Sequence, residues 1–444
     1  MAFAHNMSQE CMTPELNIFA VPHTQTLTEQ GNWVEYHPIT ALGEGAPIEF
    51  DISSSGEEYI DFANTTLHVQ VKIVANNGNN LAADVAIAPV NLFLHSLFSQ
   101  VDIMLNGTLV TSSTNTYPYR SMFETLLTYG KGALESQLAT SLFYKDTVHN
   151  MDSVEIRDDH AATQNAGFMK RRAIAERSRT IDMIGRLHAD IFFQERYMLN
   201  EVGVKIKLTR CSDAFCLMGI NDAKIQIQHA SLFVRKIKLT PSAFLAQAKA
   251  LETTNAKYPI RRVVCKSFTV AQNYRDVNHE KLFSGQLPER IVIELVNNEA
   301  FNGDRAHNPF NFQNYDLSEI SLYLDGQSQV LQPIQPNFTG HQYIRAYQSL
   351  FSGTGKLYSD EGLVISRDDY PGGYALYAFD LSPDLVDQQL NLVRQGNVRL
   401  AEWKAFLAFG VFLQVIVSKI FVSPTWLRHS QSWEFVINEP QLTQ

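Results

Sequence analysis

Two short segments of this chain carry the same β-hairpin signature at a fixed separation. Asn106-Gly107 and Asp325-Gly326 both favour a type I′ turn, which needs positive φ at its two central residues and joins antiparallel strands. Each turn follows three apolar residues at alternate positions, namely Val101, Ile103 and Leu105, and Ile320, Leu322 and Leu324. The second hairpin lies 219 residues after the first. A chain that repeats a hairpin in this way is expected to contain two similar β units.

Two further pairs of segments recur in the same order at nearly the same separation. Residues 69–76 match residues 291–298 at an offset of 222, and residues 119–122 match residues 344–347 at an offset of 225. Each match alone is weak. Their common order predicts the duplication of one β unit of about half the chain.

The remaining strand signals favour a mainly β fold. Apolar and polar residues alternate over residues 48–52, 67–73 and 204–208, as in half-buried antiparallel sheets. Helical spacing appears after Tyr119, ending at Gly130, and again after Thr240-Pro241, which suits an N-cap followed by the first helical residue. We therefore predict two β-sandwiches with short helices inserted in loops, an arrangement that fits a jelly roll.

The length of the chain also requires more than one core. At 444 residues it exceeds the size at which single hydrophobic cores stop growing. The predicted order is an N-terminal arm (1–30), a first jelly roll (31–240), a linker helix (241–256), a second jelly roll (257–422) and a C-terminal tail (423–444).

Composition and charge exclude several classes of protein. Hydrophobic residues make up 45% of the chain, which is enough for packed cores, and the net charge of -10 argues against a dedicated nucleic-acid binder. The first ten residues lack a secretory pattern, so we expect folding in a reducing compartment. Cys11, Cys211, Cys216 and Cys265 fit neither a disulfide framework nor a paired zinc motif, and we expect buried thiols.

No motif for catalysis, a cofactor or a metal rises above background. Ser352–Lys356 resembles a phosphate loop but lacks the first glycine and the Ser or Thr after the lysine. Asp158-Asp159-His160 is interpreted as a solvated loop rather than a ligand set. Neither a HExxH motif nor a Gly-x-Ser-x-Gly motif occurs. We predict that the protein is not an enzyme.

One basic cluster departs from the acidic average, and it consists of Lys170, Arg171, Arg172, Arg177 and Arg179. An exposed loop is the preferred interpretation. The alternative is a weak local contact with a genome through Lys170, Arg171 and Arg172.

Several blocks of the sequence resemble the major capsid proteins of Polinton (Maverick) elements, also called adintoviruses. They are residues 14–19, 33–38, 47–52, 90–107, 115–120, 183–188, 256–262 and 350–355. Together the blocks cover roughly residues 10 to 400, and none of them is a catalytic signature.

The resemblance implies a double jelly roll in the lineage of tailless double-stranded DNA viruses. It further implies trimeric, pseudo-hexameric capsomers, a minor (penton) capsid protein as a partner, and a place in the virion capsid. The compartment of synthesis, cytoplasm or nucleus, stays open. Two alternatives remain, a β-sandwich protein that binds or processes carbohydrate, and a domesticated host copy that no longer assembles.

The sequence departs from this family after Arg399. Residues 403–422 form a mostly apolar run where alternating strands are expected, followed by an unfamiliar tail. The apolar stretch 405–417 is shorter than the roughly 18 to 20 residues that span a bilayer. We expect it to pack on the second sandwich in place of closing strands, without membrane contact. A membrane-seeking tail, or an end altered by a frame or splicing error, is the alternative.

Overall fold

The computed structural model describes residues 13–437 except 20, 22, 44, 54–55, 272–275, 329–332, 361, 383–393, 405–410 and 430–431. Its strands are β1 (Thr28–Tyr36), β2 (Ile48–Ile52), β3 (Glu58–Ala75), β4 (Ile87–Pro89), β5 (Phe98–Leu105), β6 (Thr108–Leu109), β7 (Ile181–Gly185), β8 (Val204–Arg210), β9 (Leu217–Gly219), β10 (Ala223–Leu239), β11 (Lys257–Val270), β12 (Asp276–Gln286), β13 (Arg290–Asn297), β14 (Glu319–Leu324), β15 (Gln327–Ser328), β16 (Tyr377–Asp380), β17 (Gln395–Lys404), β18 (Val411–His429) and β19 (Ser432–Ile437). Its α-helices are α1 (Phe93–Ser96), α2 (Tyr117–Thr128), α3 (Lys131–Glu135), α4 (Ala166–Ala175), α5 (Asp213–Cys216), α6 (Pro241–Leu251), α7 (Asn298–Asn302) and α8 (Ile344–Gly353).

The strands form two sandwiches with the same topology. In the first half the two four-stranded sheets have the orders β1-β10-β3-β7 and β2-β8-β5-β6, and β4 pairs with β9 separately. In the second half the main paths are β11-β18-β13-β16 and β12-β17-β14-β15, with β19 added to β18. Each strand on these two paths thus takes the place of a counterpart in the first half, and β19 is an addition. The fold is two jelly rolls in tandem, and the prediction of two similar sandwiches is confirmed.

The strand pattern follows from alternation in the sequence. Leu67, Val69 and Val71 of β3 are fully buried, while the residues between them are only partly buried. β2 and β8 show the same alternation and pair with each other from Ile48 to Ile52. Side chains with a period of two place one face of each sheet in the core.

Both predicted hairpin turns are confirmed. Asn106 and Gly107 have φ angles of 48° and 82°, and they join β5 to β6. Asp325 and Gly326 have φ angles of 47° and 84°, and they join β14 to β15. Positive φ at both central residues is the geometry of a type I′ turn.

The two helices predicted from spacing also form. α2 begins two residues before Tyr119 and ends before Gly130, and α6 begins at Pro241 directly after Thr240. α6 differs from a core helix, because none of its residues is buried and Leu245 is 69% exposed. The helix therefore lies on the surface between the end of β10 and the start of β11.

The C-terminal run continues the sandwich. β18 lies between β11 and β13 and pairs with both, as β10 does with β1 and β3 in the first half. Residues 411–417 of the apolar run are therefore part of the second sandwich, as expected, while residues 405–410 lie outside the described residues. The described part of the run supplies a closing strand instead of replacing one. β18 runs past residue 422, the end assigned from the sequence, and pairs with β19. No helix in the described part of the chain is long and apolar enough to cross a membrane.

Candidate functional site

The segment that resembles a phosphate loop lies at the wrong end of a helix. A phosphate loop precedes the N-terminus of its helix, where backbone N–H groups meet the anion. Here Ser352 and Gly353 are the last residues of α8. A Cβ at Gly353 would lie 2.6 Å from the backbone of Ala378, so this glycine allows α8 to pack closely on β16.

The segment around Asp159 and His160 is exposed, as expected of a solvated surface, but it forms a 3-10 helix (Asp158–Thr163) instead of a loop. The histidine faces Glu155 at 3.4 Å.

A different trio, missed in the sequence, brings potential ligand atoms of Glu299, Asp304 and His307 within 4.8 Å of one another. His307 Nδ1 lies 2.7 Å from Asp304, and the backbone N–H of Ala306 together with His307 lowers the pKa of Asp304. The trio is accounted for by two surface contacts of His307, with Asp304 at 2.7 Å and with Glu299 at 3.7 Å.

The prediction of an exposed loop is wrong for the first part of the basic cluster, while Lys170, Arg177 and Arg179 are exposed as expected. Lys170, Arg171 and Arg172 belong to α4, and the side chain of Arg171 is fully buried. The Arg172 guanidinium donates from Nε to the carbonyl of Val85 at 2.9 Å and also to the carbonyl of Ala83. Full burial excludes a genome contact through Arg171, whereas Arg172 is partly buried with two backbone partners and Lys170 is exposed.

Arg171 forms a buried ion pair that reaches the second half of the chain. Its Nη2 donates to Asp146 Oδ1 at 2.7 Å, and both side chains are fully buried. Asn165 Nδ2 donates to the same oxygen at 2.9 Å, and Asn308 Nδ2 donates to Asp146 Oδ2 at 3.0 Å. Buried charges require such pairing and additional hydrogen bonds. Asp146 thus contacts a residue that lies 162 positions later in the chain.

A second buried network joins α2 to β11. Arg120 donates to Glu124 at 2.9 Å and to Asp190 at 2.5 Å, and its Nη1 donates to the carbonyl of Val263 at 3.3 Å. Asp190 accepts the backbone N–H of Val263 at 3.1 Å. Although burial raises it, the pKa of Glu124 lies below its ordinary value because Arg120 and His188 stabilise the carboxylate.

Aromatic rings fill the space between these networks. Phe123 stacks on Phe312 with centroids 5.5 Å apart, and Tyr119 meets Phe310 edge to face at 5.8 Å. Both aromatic pairs stabilise the fold by more than the burial of their apolar area alone. We call these rings and the two networks the junction, since every component joins the first sandwich to the second.

The second network leaves too little space for a substrate, while a separate recess of about 190 Å³ borders Tyr119 and Phe301. The cavity beside Tyr117, Arg120 and His188 has a volume of about 20 Å³, enough for about one water molecule. His95 and His188 meet edge to face at 4.5 Å. Burial, followed by the charge of His188, keeps the pKa of His95 well below its ordinary value. His95, Tyr117 and His188 contact one another, and Arg120 and Asp190 provide the contacts with β11.

Cys216 and Cys265 are buried free thiols, as expected from the sequence. Cys211 is partly buried, and Cys11 lies outside the described residues. Burial raises the pKa of Cys265 to about 12, so its thiol stays protonated and unreactive at neutral pH.

Glu294 of β13 is a buried carboxyl group near the junction. Both of its carboxylate oxygens are buried without a hydrogen-bond partner among the described residues, and burial raises its pKa well above the ordinary value. A raised pKa favours the protonated form in the folded state. The associated stability is fully present below the pKa of the unfolded chain and is lost as the pH rises through the folded pKa.

Glu294→Gln is therefore expected to stabilise the protein more at pH 8 than at pH 5. The amide avoids the cost of ionising a buried carboxyl, and the gain at pH 8 should be on the order of 1–3 kcal/mol. Urea unfolding at both pH values measures the difference. Glu299→Gln, an exposed neighbour, is the control and should show no pH-dependent gain. Equal effects of Glu294→Gln at pH 5 and pH 8 would contradict the assignment.

An opening with apolar walls lies beside the linker helix, and we call it the open pocket. Its volume is about 450 Å³, and its apolar walls include Tyr59, Leu199, Leu239, Leu251 and Tyr258. Glu195 is the one carboxylate among its described lining residues. A glycosidase needs two carboxylates across its cleft, so the open pocket does not favour glycan hydrolysis.

Comparison with known proteins identifies one protein with a similar sequence. No family model matches the chain. An uncharacterized protein of Caenorhabditis elegans is 25% identical over 398 residues, which cover 85% of this chain and 90% of that protein.

Solved structures of viral capsids show the same architecture. A chain of the Sputnik virophage has a TM-score of 0.62 at 10% identity and covers 93% of this chain and 90% of its own length. The Faustovirus major capsid protein has a TM-score of 0.57 at 9% identity, with 91% and 92% covered. The mavirus major capsid protein has a TM-score of 0.51 at 12% identity, with 94% of each chain covered. The double jelly roll predicted from the sequence is thereby confirmed.

Proposed function

We propose that this chain is a structural major capsid protein of the Polinton type, which assembles as trimers into an icosahedral shell. The observation that carries the proposal is the pair of sandwiches with one strand order, joined by a buried junction. Three such chains present six similar blocks around one axis. A three-fold object of this kind fills six-fold positions in a closed shell.

The junction supports a mechanical role. A shell subunit works through interface area and geometry, so its two blocks must keep a fixed relation. The buried ion pair, the second network and the aromatic stack supply that rigidity. The function proposed is thus one of assembly, not catalysis.

The structural neighbours support the proposed role in a capsid shell, and the sequence blocks support its assignment to the Polinton type. The named neighbours belong to a virophage or are called major capsid proteins. In the proposed role the chain binds copies of itself and a minor penton protein, and it resides in the virion after synthesis in the host cell. The relative in Caenorhabditis elegans favours one second candidate, a copy kept by an animal genome that no longer assembles.

The purified protein is expected to be a homotrimer at micromolar concentration and near-physiological salt. Multi-angle light scattering should give three times the mass of the 50.2 kDa chain. A mass that stays at one chain over this range would count heavily against the proposal.

Electron microscopy of the same sample separates the candidates. Capsomers or shells support the capsid function, while trimers that never associate further at raised concentration favour the non-assembling copy. Saturable binding on a glycan array by a monomeric protein would favour the carbohydrate alternative instead.

A further inference from the structure

The N-terminal arm exposes a dense apolar surface. We define the arm as residues 13–27, of which the structure describes all but 20 and 22. Its large apolar side chains are exposed to an unusual degree: Leu16 65%, Ile18 76%, Phe19 93%, Val21 86% and Leu27 61%. Soluble proteins rarely leave such a contiguous apolar segment in water unless it binds something.

The arm joins the body at the edge of the open pocket. The backbone N–H of Thr240 donates to the carbonyl of Leu27 at 2.9 Å, and Thr28 pairs with Leu239, which lines the open pocket. The chain therefore carries an exposed apolar segment and an open apolar recess side by side. Pockets of this size bind side chains and small ligands through such walls.

The charges of the arm and of the rim of the open pocket are complementary. Glu15 is the one formally charged side chain of the arm when histidine is neutral. Arg196 and Lys257 line the open pocket and are exposed, against one acidic neighbour, Glu195. An acidic residue at the far end of an apolar segment is therefore complementary to the basic rim.

We propose that the arm of one copy docks into the open pocket of a neighbouring copy. The attachment point favours a neighbour over the same chain. Leu27 already lies beside the pocket wall, whereas Phe19 is eight residues upstream, which an extended chain places up to about 26 Å away. To fill its own pocket the arm would have to double back. The proposal rests on the capsid function proposed above, because it requires copies to meet in an assembly.

Photocrosslinking between two full-length, differently tagged copies tests this contact. The first copy carries a benzophenone side chain at position 19 together with Leu251→Asp, which places a charge in its own pocket. The second copy carries an intact pocket and no label. Co-expression followed by illumination should give a two-chain product with both tags, and mass spectrometry should map the adduct to Leu199, Leu251 or Tyr258 of the second copy.

One variant of the pocket and two controls test the specificity of the crosslink. Leu251→Asp in the second copy should lower the yield of the two-tag product by about tenfold, as expected for a loss of about 1.4 kcal/mol in affinity. Leu245 is on the same helix, is 69% exposed and does not line the pocket. The variant Leu245→Asp should therefore leave the yield of the two-tag product unchanged. A benzophenone at Tyr358, which is 95% exposed outside the arm, should not label the pocket.

The outcomes separate this proposal from the capsid function. In a parallel sample the labelled copy keeps Leu251, and adducts confined to that chain would show that the arm folds back and would overturn the docking between copies. Trimers without any pocket adduct would overturn the arm contact alone. Monomers by light scattering would overturn both proposals.

Discussion

Removal of everything after Gln395 is expected to abolish folding of the second sandwich. The deletion takes away nearly all of β17 and the whole of β18 and β19. β18 separates β11 from β13 and pairs with each of them, and β17 separates β12 from β14. Both sheets would lose an inner strand and expose apolar surface and unpaired backbone edges.

The result is measured as soluble yield and as the elution profile on gel filtration. A matched truncation after Ile437 keeps all the described strands and should be soluble and trimeric. If the protein shortened at Gln395 stays soluble and equally stable while the full chain partitions into vesicles, the C-terminal strands do not close the sandwich and the membrane-seeking tail is correct.

Local chemistry explains which parts of the fold were predictable. Asn106-Gly107 and Asp325-Gly326 specify their turns through backbone conformation alone, and the alternation in β3 specifies which face is buried. Signals of this kind need no knowledge of distant residues. The repeated order of such signals was enough to predict two similar sandwiches.

The C-terminal strand could not be assigned from local signals alone. β18 is an inner strand with a partner on each edge, and strands in such positions are often continuous apolar runs. Residues 411–417 contain one polar residue, Gln414, so the period of two is hidden. Pairing with β11, which precedes β18 by more than a hundred residues, identifies the run as a strand.

The junction was invisible in the sequence for a related reason. Arg171 stands between two other basic residues, which is typical of a solvated surface, and its partner Asp146 lies 25 residues earlier. The contact of Asp146 with Asn308 spans the two halves of the chain. Arg120 and His188 lie in blocks that resemble capsid proteins, but nothing local indicates their burial.

Asp146→Ala is expected to destabilise the protein by about 3–5 kcal/mol, because it leaves the buried Arg171 guanidinium without a counter-charge. Asn165 and Asn308 lose an acceptor in the same step. Since Asn308 belongs to the second half, the variant should also loosen the two sandwiches relative to each other and reduce trimer formation. Urea unfolding gives the loss of stability, and light scattering gives the loss of trimer.

The double variant Asp146→Leu/Arg171→Met distinguishes a broken ion pair from a general loss of packing. Replacing both charges by apolar side chains removes the unpaired guanidinium, so the double variant should be more stable than Asp146→Ala, by about 1–4 kcal/mol. Lys170→Met, one position from Arg171 but exposed, should change stability by less than about 0.5 kcal/mol. A double variant no more stable than Asp146→Ala would mean that Asn165 and Asn308 depend on the carboxylate itself, and that the hydrogen bonds rather than the ion pair hold the junction together.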